Sequence, residues 1–156
     1  MKATFLIPAL FSAALGFAAD EPNPPATPSL TIRIHNTSSA SESELKEMKK
    51  SASEVFKRSG IEVEWVSCSS LSRHSALCPD SGVSAGRTII FVRLVDRRLG
   101  TLLGRADHRT SSLVIFYETA CAIEHNTNGI VTKGQILGHG VAHEIGHLLL
   151  ASDAHS

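Results

Sequence analysis

The segment His143-Glu144-Ile145-Gly146-His147 brings two imidazoles and a carboxylate together near the C-terminal end of the sequence. In a helix, His143 and His147 project from one face a turn apart, so their ring nitrogens can share one metal ion. Glu144 is rotated by roughly 100° from His143, which places a carboxylate beside that ion, where it can accept a proton from an activated water. The pattern predicts a Zn²⁺ site with Glu144 as the general base of a hydrolysis.

The residues around this segment predict the helix that must hold it. Thr132 and Gln135 have the spacing of a capping box, and a helical apolar stripe follows from about Lys133 to Leu150. Three glycines, Gly138, Gly140 and Gly146, weaken this helix by propensity. We therefore expect them to allow a close approach between the helix and a sheet.

The preceding chain predicts an α+β domain. Apolar alternation from Leu30 to Asn36 and again over Ile61–Trp65 is typical of half-buried strands. Between them, a capping box at Ser41–Glu44 opens an amphipathic helix that ends near Ser59. The remaining predicted elements are two apolar strands at Thr88–Val95 and Ser112–Tyr117, with a glycine-punctuated edge strand within Gly100–Asp107.

The motif His143-Glu144-x-x-His147 is the signature of zincin peptidases, and the order of elements over about Leu30 to Ser156 resembles the metzincin branch. The resemblance implies a metzincin-like zincin domain with a twisted mixed sheet, a backing helix at 41–59 and an active-site helix at 133–150. It also implies a peptide or protein substrate that pairs with the edge strand at 101–106. The expected reaction is endopeptidase hydrolysis.

The third zinc ligand is open between Asp153 and His155. The metzincin spacing points to Asp153, although Leu150 stands where that pattern has a glycine. The run from His147 to Ser156 also resembles bacterial secreted metzincin-like proteins in which a later histidine completes the site. Eight further helical residues would carry His155 about 12 Å beyond His147, so the helix must stop near Leu150.

Ala151 is then expected in the turn, at a cost of ~1–2 kcal/mol for a left-handed conformation. We favour His155, because imidazole is the more usual third ligand, and keep Asp153 as the alternative or as a hydrogen-bond partner of a ligand. His139, one turn before His143, is either a cleft residue or a packed or solvent-facing one. The other histidines, at 35, 74, 108 and 125, are expected at the surface.

The N-terminal residues predict export. One charge at Lys2 precedes an apolar run to Ala19, which is typical of a signal peptide spanning residues 1–18. A Pro-rich leader at 19–29 follows, and the zinc domain occupies 30–156. We expect a secreted or periplasmic protein without a membrane anchor after signal removal. Metzincins normally continue into a Met-containing turn and a lower subdomain, so this sequence is expected to be a truncated member or a fragment.

Charge and cysteine content limit the possible partners and disulfides of this protein. Lys+Arg and Asp+Glu both total 15, so nothing favours nucleic acid as a partner. The basic stretch at Arg93, Arg97, Arg98 and Arg105 is read as a solvated rim. The spacing of Cys68 and Cys78 predicts a disulfide, which leaves Cys121 as a buried thiol, an intermolecular partner or the mate of one of the others.

Two other functions stay open beside the peptidase. One is a secreted zinc-binding module without catalysis, which the abrupt terminus and Leu150 support. The other is a zinc hydrolase that acts on a non-peptide amide.

Overall fold

The computed structural model describes residues 28–68, 78 and 88–151. The predicted signal peptide, the leader up to residue 27, His74, Asp153 and His155 lie outside these residues. The described chain is α+β, with five strands and three helices: β1 Ser29–Asn36, α1 Glu42–Arg58, β2 Glu62–Cys68, β3 Thr88–Val95, β4 Gly104–Asp107, β5 Ser112–Phe116, α2 Tyr117–Asn126 and α3 Lys133–Leu150.

The strands form one mixed sheet in the order β2-β1-β3-β5-β4. The pairs β1–β2, β1–β3 and β3–β5 are parallel, whereas β4 lies antiparallel to β5 at the edge. The predicted edge strand is confirmed but begins later than expected. Gly100 and Thr101 form a turn closed by a bridge between Leu99 and Leu102, so only Gly104–Asp107 pair with β5.

Helix α1 lies on one face of the sheet, as the amphipathic pattern predicts. Its capping box forms, since the Glu44 carboxylate accepts the Ser41 backbone N–H at 2.7 Å and the Ser41 hydroxyl accepts the Glu44 N–H at 3.3 Å. The Trp65 indole of β2 donates to the Ser53 hydroxyl of α1 at 2.8 Å. The buried residues of α1 that complete this layer are Leu45, Met48, Ala52 and Phe56.

Helix α2 was not predicted from the sequence. Tyr117, expected as the last residue of a strand, is the first residue of this helix, which follows β5 without a loop. Phe116 occupies the cap position and gives no side-chain hydrogen bond. The usual start signal of a Ser, Thr, Asp or Asn cap is therefore missing, and the buried Tyr117 and Ala120 hold the helix through tertiary packing.

The helical glycines differ in their surroundings. A Cβ on Gly138 would lie 2.7 Å from the Met48 carbonyl oxygen and 2.6 Å from the Ser51 Cβ, so this glycine allows close contact with α1 rather than with the sheet. A Cβ on Gly140 would lie 2.7 Å from Leu103, just before β4. The expectation was wrong for Gly146, whose added Cβ would meet nothing within 4 Å.

These surroundings predict opposite effects of one substitution. Gly138→Ala should lower the free energy of unfolding by about 1–3 kcal/mol, because a backbone atom must move. Gly146→Ala should raise it by about 0.5–1 kcal/mol through helix propensity alone. Urea unfolding of the metal-free protein measures both. Equal changes in the free energy of unfolding for the two substitutions would contradict the close contact of Gly138 with α1.

A cluster of polar side chains joins the starts of the three helices. The Glu44 carboxylate contacts the Lys133 Nζ at 2.7 Å and accepts the Tyr117 hydroxyl at 3.1 Å. Desolvation disfavours the charged carboxylate, but hydrogen bonds from Lys133, Ser41 and Tyr117 outweigh it and lower the pKa of Glu44 from 4.5 to about 2. The pKa of Lys133 is raised in turn, chiefly by its hydrogen bond to Glu44.

This cluster predicts a loss of stability in acid. The pKa of Glu44 is lower in the folded chain, so its contribution is complete above pH 4.5 and is lost as the pH falls towards about 2. Allowing for solvent screening, we expect a change of about 1 kcal/mol. Unfolding free energies across this range should flatten in Glu44→Gln but not in Glu42→Gln, an exposed residue of the same turn. An unchanged acid dependence in Glu44→Gln would contradict the prediction.

The predicted disulfide between Cys68 and Cys78 is confirmed. Cys121 is half-buried and forms no disulfide, so it does not pair with Cys68 or Cys78.

Among the residues that the structure describes, no helix is both long enough and apolar enough to cross a membrane.

Candidate metal and hydrolytic site

Helix α3 positions the candidate site. Its capping box forms as predicted, with the Thr132 hydroxyl accepting the Gln135 N–H at 3.2 Å and the Gln135 side chain accepting the Thr132 N–H at 3.1 Å. One face of the helix enters the core through Leu137, Val141 and Ile145, each fully buried. The opposite face therefore carries His139, His143 and His147 towards the surface.

The two motif histidines meet at their ring nitrogens. The Nε2 atoms of His143 and His147 are 3.1 Å apart, and the rings lie edge to face with centroids 4.6 Å apart. Two nitrogens at ~2.0–2.1 Å from a tetrahedral zinc ion would be separated by ~3.3–3.4 Å. The residues present thus fit a shared zinc ion with a shift of a few tenths of an ångström.

Glu144 lies against the edge strand of the sheet. It is only 8% exposed and lies against Gly104, where an added Cβ would approach the Glu144 Cγ to 2.9 Å and its Oε1 to 3.2 Å. Within the described residues, the carboxylate makes no hydrogen bond or ion pair. Its oxygens are therefore available to a water or substrate in the cleft, and Gly104 provides the space beside them.

A cleft opens on both sides of Glu144 between α3 and the edge strand β4. The first hollow, of about 860 Å³, includes His147, Arg97, Arg105 and Arg109 in its walls. The second, of about 680 Å³, is more apolar and is lined by Val55, Leu103 and Ala142 together with the exposed His139 and His143. Both hollows share Leu102, Gly104 and Glu144, so they join at the carboxylate.

The structure brings His143, Glu144 and His147 together but describes neither candidate for the third ligand. Within residues 28–68, 78 and 88–151, no group of three or more His, Cys, Asp or Glu side chains forms a metal site. The helix ends at Leu150, and Ala151 adopts a left-handed conformation with φ of 49°. This confirms the predicted turn, after which Asp153 and His155 follow outside the described residues.

Several residues that line the cleft were not assigned to the site from the sequence. His139 takes the cleft position that was one of its two interpretations. Arg97 and Arg105, read as part of a solvated rim, line the first hollow with Arg109 and His108. An isolated glycine in a predicted strand is a signal of close approach, and this signal could have identified Gly104.

Comparison with known proteins identifies no relative of this chain, since no family model, curated protein or solved structure matches it.

Proposed function

We propose that this protein is an extracytoplasmic zinc-dependent metallopeptidase with a metzincin-like fold. The observation that carries the proposal is the 3.1 Å separation of the His143 and His147 Nε2 atoms, with the Glu144 carboxylate one residue away in the cleft. The two imidazoles can bind one metal ion, and the carboxylate of Glu144 has no hydrogen-bond partner among the described residues. This combination supports a metal-assisted hydrolysis.

His143 and His147 would hold the zinc ion, with His155 proposed as the third ligand and Asp153 as the alternative. When bound, zinc acts as a Lewis acid that polarises a carbonyl and lowers the pKa of a coordinated water towards ~7. His147 lines the first hollow and His143 the second, so a substrate in either hollow would lie next to one of the proposed ligands.

Glu144 is proposed to move the protons. Its carboxylate accepts a proton from the attacking water and then donates it to the nitrogen of the leaving amine. Two features hold it for this role: helix α3 carries Glu144 directly after His143, and Gly104 leaves room for its carboxylate beside β4. No covalent intermediate with the protein is required.

The edge strand is proposed to align the substrate. β4 pairs with β5 on one side and, within the described residues, with no strand on the other. An extended peptide can add to such an edge through backbone hydrogen bonds, which fixes its register relative to Glu144. The mixed sheet, the backing helix α1 and the site on α3 agree with what a metzincin-like fold requires.

The Cys68–Cys78 disulfide supports the extracytoplasmic location, because disulfides persist in oxidising compartments. The predicted signal peptide points the same way. Peptidase activity is tested by incubating the zinc-loaded protein with a mixed peptide library and identifying products by mass spectrometry. Cleavage that a peptide hydroxamate blocks is expected. Stoichiometric zinc without cleavage would favour a binding module, and cleavage of non-peptide amides alone would favour the other hydrolase.

A further inference from the structure

We propose that the first hollow, which runs along β4 from His147 and Glu144 to the arginines, binds acidic side chains of the substrate. The enzyme would then prefer peptide bonds flanked by Asp or Glu over those flanked by Lys or Arg. This inference rests on the proposed peptidase function and adds the chemical class of its substrate.

The wall of the hollow carries an excess of positive charge. Arg97, Arg105 and Arg109 are all exposed, and among the described residues none forms an ion pair with a carboxylate. The opposing charges in the wall are Asp107 and Glu144. The Asp107 carboxylate accepts the backbone N–H of Arg109 at 3.0 Å, and this hydrogen bond, together with the charges of Arg109 and Arg105, lowers its pKa. Asp107 therefore offsets part of the positive charge, and the three arginines still outnumber the two carboxylates in the lining.

The concentration of charge is local. Across the whole chain, positive and negative residues balance at 15 each. The positive charge of the hollow is therefore not explained by an overall basic composition. A guanidinium group matches a carboxylate through paired N–H donors, which lysine cannot offer in the same geometry. Three such groups in the lining of one hollow, against two carboxylates, therefore favour an acidic ligand.

The register of β4 connects this wall to a bound peptide. Arg105 pairs with Val114 and Asp107 with Ser112, and side chains alternate between the two faces of a strand. Gly104, which approaches Glu144, thus lies on the face opposite Arg105. A peptide extended along the open edge would place alternate side chains on the arginine side while its backbone passes the carboxylate of Glu144.

Direct binding tests the inference without requiring cleavage. Two fluorescent peptides of the same length, one with Glu and one with Lys at the positions flanking a central apolar pair, are titrated into the zinc-loaded Glu144→Gln protein. We expect the Glu peptide to bind about fivefold to tenfold more tightly at low ionic strength, since exposed ion pairs contribute modestly and additively. The difference in affinity should shrink in 0.5 M salt, because a Debye length of ~4 Å screens the attraction between exposed charges.

Charge reversal provides the decisive comparison. In Arg105→Glu combined with Arg109→Glu, the preference should disappear or invert, whereas Lys50→Glu, an exposed α1 residue outside the hollow, should leave it unchanged. Equal binding of the two peptides, or a preference that the arginine variants do not alter, overturns the inference. The mixed-library assay of the parent protein separates the two proposals: if no peptide of the library is cleaved, the peptidase proposal fails, while the binding ratio of the two fluorescent peptides still decides this one.

Discussion

Replacing Glu144 with Gln is expected to reduce peptide hydrolysis by about 10²–10⁴-fold, the usual contribution of a general acid–base group. The amide preserves the shape of the side chain beside Gly104 but cannot accept the proton of the attacking water. Zinc should remain bound, because Glu144 is proposed as the base and not as a ligand of the metal. The measurement is kcat/KM on a peptide cleaved by the parent, with zinc content determined on the same samples.

The control for this substitution is Glu118→Gln, an exposed carboxylate on α2 that does not line the cleft. It should keep full activity. A Glu144→Gln protein that retains both zinc and most of its activity would show that another group serves as the base. Loss of zinc together with activity would instead show that Glu144 acts through the metal site or the fold.

Replacing His147 with Ala is expected to weaken zinc binding by more than about 100-fold, beyond the ~10–100-fold that loss of an outer hydrogen-bond partner costs. The reason is the loss of one of two nitrogens that stand 3.1 Å apart. His143→Ala should have the same effect. Competition with a chromophoric chelator measures the affinity, and hydrolysis should fall in parallel.

His139→Ala is the matched control, since His139 lies on the same helical face one turn earlier. It should retain zinc, although it lines the second hollow and can affect the binding of substrate. The same titration of His155→Ala and Asp153→Ala identifies the third ligand. Zinc binding that survives in both His143→Ala and His147→Ala would contradict the proposed pair.

The elements with local sequence signals were predictable. Helices α1 and α3 each begin at a capping box, and both boxes form in the structure. The alternation in β1 and the serine-rich spacing between Cys68 and Cys78 are likewise short-range patterns, and the strand and the disulfide are both confirmed. The expectation that β1 is only half-buried was wrong, because the strand lies inside the sheet and its polar residues Thr31 and Arg33 are buried as well. The helical spacing of His143 and His147 belongs to the same class, because one turn of helix determines how two side chains meet.

Features that depend on tertiary structure were not predictable in the same way. Tyr117 continues an apolar strand in sequence, but the burial of Tyr117 and Ala120 makes the chain helical from that point. The contact between Gly104 and Glu144 joins residues 40 positions apart, and it follows from β4 being an antiparallel edge strand. Arg97, Arg105 and Arg109 line one hollow although they lie before, within and after β4, so their proximity depends on the fold.

X-ray absorption at the zinc edge tests most directly whether the histidine pair holds the metal. For the parent protein we expect one zinc per chain, with a first coordination sphere that includes at least two imidazole nitrogens at ~2.0–2.1 Å. In the double variant His143→Ala with His147→Ala, this signal should be absent. A parent protein that binds no stoichiometric zinc, or a spectrum that is unchanged in the double variant, would contradict the proposed site.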